Sequence, residues 1–235
     1  MKVRILLFFF VCFYLGCFAQ LKKDDALLGL GLNYTLAKTS TDRLDGNYTH
    51  NEKTTFNGNV KFGYFIKDGL AFGGLLLYNT ETSLVKSRTV FDGWEEISNQ
   101  TQHSKQISVG PFLRSYKTLA NSKIAFFLQL EAVYQSGKLD GLQKGSLNGN
   151  PVWIKSPDGK INGVAAALRA GFVWFMRERV GVEVSFGNLT YNYQILKNYF
   201  KGSEIDKHPT GAFTGNFGLN ALSLGLSFYL CERKS

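Results

Sequence analysis

Cysteine, proline and long apolar runs are all scarce in this chain of 235 residues. Of three cysteines, Cys12 and Cys17 fall within the first twenty residues, which leaves Cys231 alone in the body. A single body cysteine allows no internal disulfide, and no Cys/His grouping has metal-site spacing. Four prolines against 25 glycines, with no glycine period, exclude a collagen and a proline-rich linker. Charged residues make up 19% and aromatics 14%, a composition too rich in bulky apolar groups for a disordered chain. Beyond the leader no stretch approaches the roughly twenty apolar residues of a membrane helix. Strands then remain as the means of crossing a bilayer, since each needs only about 9–11 residues with apolar side chains at alternate positions.

What is present begins with a leader. Lys2 and Arg4 form a charged start, Ile5 to Leu15 is almost purely apolar, and Cys17-Phe18-Ala19 sets small residues at the −3 and −1 positions before Gln20. This pattern predicts a secretory signal over residues 1–19 and a mature domain over residues 20–235. Leu15-Gly16-Cys17 offers a lipoprotein processing site as the competing reading, although Tyr14 suits that site poorly.

In the mature chain the hydrophobic period is two. Leu28, Leu30, Leu32, Tyr34 and Leu36 alternate with Gly29, Gly31, Asn33 and Thr35. The same pattern recurs around Val60, Leu76, Val109, Leu128, Leu168, Val182 and Leu226, which predicts eight strands. Their connections alternate in length. Lys67–Gly69, Lys117–Lys123 and Met176–Arg179 are short, whereas Ala37–Thr55, Ser83–Gln106, Gly137–Lys160 and Thr190–Gly215 are long and polar. An even number of strands with alternating short and long connections predicts an all-β, eight-stranded antiparallel up-and-down transmembrane β-barrel, with short turns on the periplasmic side and four long extracellular loops.

A soluble eight-stranded barrel would alternate too, with its apolar face inward and a highly charged face in water. Here one face is Leu, Phe, Val, Ile, Tyr and Trp, and the other is mostly Gly, Ser, Asn, Ala and Gln. Small polar residues suit the crowded interior of an eight-stranded barrel. The charges within the strand segments, Lys61, Arg114, Glu131, Arg169 and Glu183, all fall on the second face. A charge facing lipid near mid-bilayer costs about 2–4 kcal/mol, so this distribution favours an apolar face turned to lipid. The five charges are expected to form an ion-pair network in the lumen, Glu131 with Arg169 or Lys61 and Glu183 with Arg114 or Arg169.

The leader ending in Phe-Ala-Gln, the segment Val109-Gly110-Pro111-Phe112-Leu113-Arg114 and the last strand Leu224-Gly225-Leu226-Ser227-Phe228-Tyr229-Leu230 resemble small outer-membrane β-barrel proteins of Bacteroidota type, which belong with the outer membrane protein A and X barrels. The resemblance implies an integral protein of a Gram-negative outer membrane. In such barrels the aromatic strand is usually terminal, whereas Cys231-Glu232-Arg233-Lys234-Ser235 follow it here.

The formal charge of +9 invites a nucleic-acid reading, but no basic stripe interleaved with stacking aromatics appears, and no nucleic-acid partner is expected. Lys38, Lys86, Lys105, Lys138 and Lys160, at the loop bases, are candidates to meet lipopolysaccharide phosphates among the outer-membrane lipids. Trp153, Tyr191, Tyr193, Tyr199 and Phe200 read either as an aromatic girdle with loop packing or as a contact surface for a protein or glycan. His50, His103 and His208 lie in the long connections, and neighbours such as His103 and Ser104 would point to opposite faces of a strand, the wrong geometry for a nucleophile and its base. No catalytic residue, cofactor or metal ligand is assigned. The expected role is non-enzymatic, structural or interaction-mediating through the extracellular loops. A narrow solute channel and a lipid A-modifying enzyme are the alternatives.

Overall fold

The computed structural model describes residues 21–42, 47–91, 94–119, 123–147, 150–155, 158–177, 179–200, 203–216 and 222–230. The predicted leader, residues 1–19, and the tail, residues 231–235, lie outside them. Ten strands follow in order: β1 (Ala26–Asp42), β2 (Tyr48–Lys67), β3 (Leu70–Phe91), β4 (Trp94–Thr118), β5 (Ile124–Leu147), β6 (Asn150–Lys155), β7 (Asp158–Arg177), β8 (Val180–Phe200), β9 (Ser203–Asn216) and β10 (Ser223–Leu230).

Antiparallel pairing runs β1-β2-β3-β4-β5-β7-β8, and β10 closes the ring by pairing with both β8 and β1. The ring therefore has eight strands. β6 is an addition to the upper part of β5, and β9 continues above β10 along the same edge of β8. Closure pairs the edge backbone groups of the lower wall, which an open sheet would leave bare. Above Leu32 and Leu222 no ladder joins β1 to β9 among the described residues, and the Asn33 side-chain amide donates to the Leu222 carbonyl there at 2.5 Å.

Leu30 faces Val60, Val60 faces Leu76 and Leu76 faces Val109, all pointing outward and half exposed. Leu128, Leu130, Val164, Leu224 and Leu226 carry this apolar collar round the rest of the wall. Tyr34, Phe56, Tyr78 and Tyr134 stand at its upper margin, where amphipathic rings favour a membrane–water boundary. The inner face holds Arg114, Glu131 and Glu183 almost completely buried, the reverse of a soluble protein.

The four long connections expected as loops are mostly strand. The β1–β2 register runs without a slip from Ala26↔Tyr64 to Asp42↔Tyr48, and β3–β4 from Leu70↔Ser115 to Phe91↔Trp94. The cause is backbone pairing: once the lower wall fixes the register, each polar residue added to a hairpin satisfies its neighbour's N–H and C=O. Thr, Ser and Asn then show nothing of an apolar period, because both faces meet water. Cross-strand pairs support the projections, with Lys53–Glu81 at 2.8 Å, Lys38–Glu52 at 3.2 Å and Arg88–Glu95 at 2.8 Å. Being exposed, each adds no more than about 1 kcal/mol. β4 and β5 reach 25 and 24 residues, well beyond the roughly 9–11 that cross a bilayer.

At the opposite end the turns are tight. Gly69 (φ 70°) closes the β2–β3 hairpin, its N–H donating to the Leu21 carbonyl at 3.0 Å and its carbonyl accepting from Tyr116 N–H at 2.6 Å. Residues 21–25 thereby cap the lower rim, with Leu21 buried in the core.

Candidate functional site

The site is the lumen, and it is layered. Its floor is aromatic. Phe65, Phe112, Tyr116, Phe127, Phe175 and Tyr229 are all buried near the tight turns. Their ring centroids lie 5.2 Å apart for Phe175–Tyr229 and 5.6 Å for Phe65–Tyr116. A sequence signal for this floor exists. Beside each tight turn the period of two gives way to a continuous apolar run, as in Tyr64-Phe65-Ile66, Phe126-Phe127-Leu128 and Val173-Trp174-Phe175. Such runs mean that both faces of the strand are dry.

Above the floor lie the five charges. Glu183 accepts from Arg114 at 2.6 Å and from Lys61 at 2.8 Å, and the Ser227 hydroxyl donates to the same carboxylate. Glu131 accepts from Arg169 at 2.8 Å and from the Gln129 amide at 2.8 Å. Gln129 in turn accepts from Arg114 at 2.7 Å, which joins the two groups into one network. The Arg114 guanidinium also donates to the Tyr116 hydroxyl at 3.1 Å and lies 4.1 Å from the Phe127 ring centre. Lys61 thus pairs with Glu183, whereas the sequence pattern offered it Glu131. Each carboxylate has a cation and further donors, which a buried charge needs if it is not to be strongly destabilising.

Glycines on β1 make the space. Gly29 faces Lys61 and Gly31 faces Asn59. A Cβ at Gly29 would sit 2.6 Å from the Lys61 stem, and one at Gly31 2.4 Å from the Asn59 amide. The strand alternation of small residues is therefore also the clearance for these two side chains.

Above the charges a polar vestibule of about 340 Å³ is lined by Asn33, Asn57, Asn59, Asn79, Gln135 and Asn188, among others. The amide of Gln135 accepts from Gln106 at 2.9 Å and from Gln194 at 2.8 Å, tying β4, β5 and β8 across the glycine of β7. Because the vestibule is blind below, planar-bilayer recordings should show no stable open state. A reproducible nanosiemens step would contradict the closed floor.

The aromatic candidates separate. Tyr191 and Tyr193 point outward, beside the collar margin. A register shift at Ala170/Gly171 leaves Phe186 unmatched, so inward positions change from odd, at Glu183 and Ser185, to even, at Asn188. Tyr199 lies under the Lys160 ammonium, 5.1 Å from its ring centre. The side chains of Trp153 and Phe200 lie outside the described residues. Of the histidines, His50 meets the Ser40 hydroxyl at 2.7 Å and His103 the Thr82 hydroxyl at 3.0 Å, while His208 pairs with Asp206. Among the described residues no carboxylate orients the second ring nitrogen of His50 or His103, as a nucleophile–base pair requires.

The chain is thus an eight-stranded antiparallel up-and-down barrel with an apolar exterior and a sealed, charged interior. No protein-family model and no curated protein matches it. Similar solved structures include the outer membrane protein OprG from Pseudomonas aeruginosa, 13% identical over 90% of this chain and 98% of that one, TM-score 0.47. Others are Neisserial surface protein A, 13% identical over 87% and 96%, TM-score 0.34, and the attachment invasion locus protein Ail of Yersinia pestis, 14% identical over 88% and 99%, TM-score 0.31.

Proposed function

We propose that the protein is a non-enzymatic, integral outer-membrane barrel that displays four projecting hairpins as a contact surface for a protein or glycan partner. The observation that carries this reading is the confinement of the continuous apolar collar to the lower part of the wall, with predominantly polar strand above it, where Val90, Leu142 and Phe213 are isolated exposed apolar side chains. β3, for example, presents Phe72, Leu76 and Tyr78 outward, then Thr80, Thr82, Leu84 and Lys86, where polar residues replace the unbroken apolar series. A wall of this kind holds its lower part in lipid and its upper part in water. The sealed floor argues against a solute pathway and leaves the hairpins as the parts that can meet a partner.

Topology tests the proposal. In a background with Cys231 replaced by serine, Asn99→Cys, at an exposed position of the β3–β4 hairpin, should react with a membrane-impermeant maleimide on intact cells. Asp68→Cys in the β2–β3 turn should react only after the outer membrane is opened. Labelling of Asp68→Cys on intact cells would overturn the orientation.

A further inference from the structure

The strand register brings together cations that the sequence scatters. Lys105 on β4 faces Lys138 on β5, Lys138 faces Lys160 on β7, Lys160 faces Lys197 on β8, and Lys197 faces Lys207 on β9. Residues directly opposite across antiparallel strands share a face and stand about 4.5–5.5 Å apart at Cβ. Five lysines on five neighbouring strands therefore form one row. It lies on the outer face, since Lys105 is two residues above outward Ile107, Lys138 four above outward Tyr134, and Lys160 four above outward Val164. Lys105, Lys138, Lys160 and Lys207 are exposed.

Like charges directly opposite destabilise a sheet, so a row of five calls for a counter-charge. The wall provides part of it, since Lys197 and Asp158 are both engaged. Lys105, Lys138 and Lys207 make no ion pair among the described residues, and Lys160 has the ring of Tyr199. On the same face Asp140 stands two residues above Lys138, and Asp158 two above Lys160. Followed the other way, the row continues from Lys105 to Thr80, Phe56 and Tyr34, with no charge. The cations are thus confined to the β4–β9 side and begin where the apolar collar ends.

We infer that this lysine row is a binding surface for phosphorylated lipid headgroups of the outer leaflet, whose acyl chains lie on the collar below Lys105, Lys138 and Lys160. The inference rests on the membrane reading above. It names the partner by chemistry: an anchored lipid carrying more than one phosphate. Ammonium groups spaced along the row can each meet a phosphate oxygen in a charge-assisted bond, and the collar holds the chains.

The test uses the protein in detergent micelles, with lipid binding counted by native mass spectrometry. The probes are bisphosphorylated lipid A, the same lipid stripped of phosphate, and soluble inorganic polyphosphate. Bisphosphorylated lipid A is expected to bind, and the triple variant Lys105→Gln/Lys138→Gln/Lys160→Gln to lose affinity on the order of a hundredfold. The control Lys38→Gln/Lys86→Gln, away from the row, should bind as the unaltered protein does. Equal binding of the stripped lipid, full binding by the triple variant, or equal loss in the control would each overturn the inference. So would displacement of the lipid by polyphosphate at equal phosphate concentration, which would make the occupant a soluble polyanion. Insertion into lipid vesicles, read in parallel by heat-modifiable mobility, separates the two readings: failure to insert sinks the membrane assignment, while an inserted protein that ignores phosphate sinks only this inference.

Discussion

Replacing Glu183 by alanine should unfold the barrel at a far lower temperature than any other single carboxylate change. Its carboxylate lies between the Arg114 guanidinium at 2.6 Å and the Lys61 ammonium at 2.8 Å, and all three side chains are at least nine-tenths buried. Alanine would leave two cations facing each other above an aromatic floor, with no anion in direct contact. Removing one partner of a buried pair costs about 3–5 kcal/mol, and two stranded charges place this variant at the upper end. Glu131→Ala should cost less, because its partner Arg169 is one-third exposed to the vestibule and keeps access to water. Glu96→Ala, at an exposed position near the β3–β4 tip, should cost almost nothing. The temperature at which the folded band is lost on a heat-modifiable gel gives the order. Adding Lys61→Met to Glu183→Ala should restore part of the loss, since it removes one stranded cation. Equal midpoints for Glu183→Ala and Glu96→Ala would mean that the charges do not meet.

A second large effect is expected on the opposite face of the wall. Leu76 points outward between Val60 and Val109, six residues above the start of β3. At about 3.4 Å per residue and a tilt near 40°, that is roughly 16 Å above the turn, close to the middle of an apolar band ~25 Å tall. Leu76→Arg should therefore destabilise the barrel in phospholipid vesicles by about 2–4 kcal/mol. Thr89→Arg, on the same strand but exposed in the hairpin, should change stability by no more than about 0.5 kcal/mol. Urea titration of the reconstituted protein, followed by tryptophan fluorescence, measures both. A tolerated arginine at position 76 would place that face in water.

Much of this architecture is legible in the residue pattern, because a wall with lipid on one side and a packed lumen on the other imposes a strict period of two. Leu28 through Leu36 states that period plainly, and the restriction of Lys61, Arg114, Glu131, Arg169 and Glu183 to one face follows from the cost of a charge in lipid. The pattern fades where both faces share a solvent. Above the collar, Thr39-Ser40-Thr41 and Gln100-Thr101-Gln102 are strand, yet their polarity reads as loop. Below it, Tyr64-Phe65-Ile66 is dry on both faces, which conceals the aromatic floor from a search for alternation. Register is the third blind spot. A single unmatched residue at Phe186 reverses the phase of β8 and turns Tyr191 and Tyr193 outward, and nothing in the local composition announces it. The lysine row is legible only in part for the same reason: Lys105, Lys138 and Lys160 stand out as loop-base cations, but positions 105, 138, 160, 197 and 207 share no period, and only the pairing of five strands aligns them and adds Lys197 and Lys207.

The central claim is that the apolar face of the wall meets lipid while the small polar face lines a polar vestibule above a layer of paired charges and a sealed aromatic floor. Spin labels placed one at a time on β2, at Phe56, Asn57, Asn59, Val60 and Phe62, test it directly in phospholipid vesicles. Dissolved oxygen concentrates in the bilayer and a water-soluble nickel chelate is excluded from it, so their relaxation effects report the two environments. The account predicts strong oxygen and weak nickel relaxation at Val60 and Phe62, which point outward, and weaker oxygen relaxation at Asn57 and Asn59, which line the vestibule. Strong nickel relaxation at Val60 and Phe62, or no alternation along the strand, would contradict it.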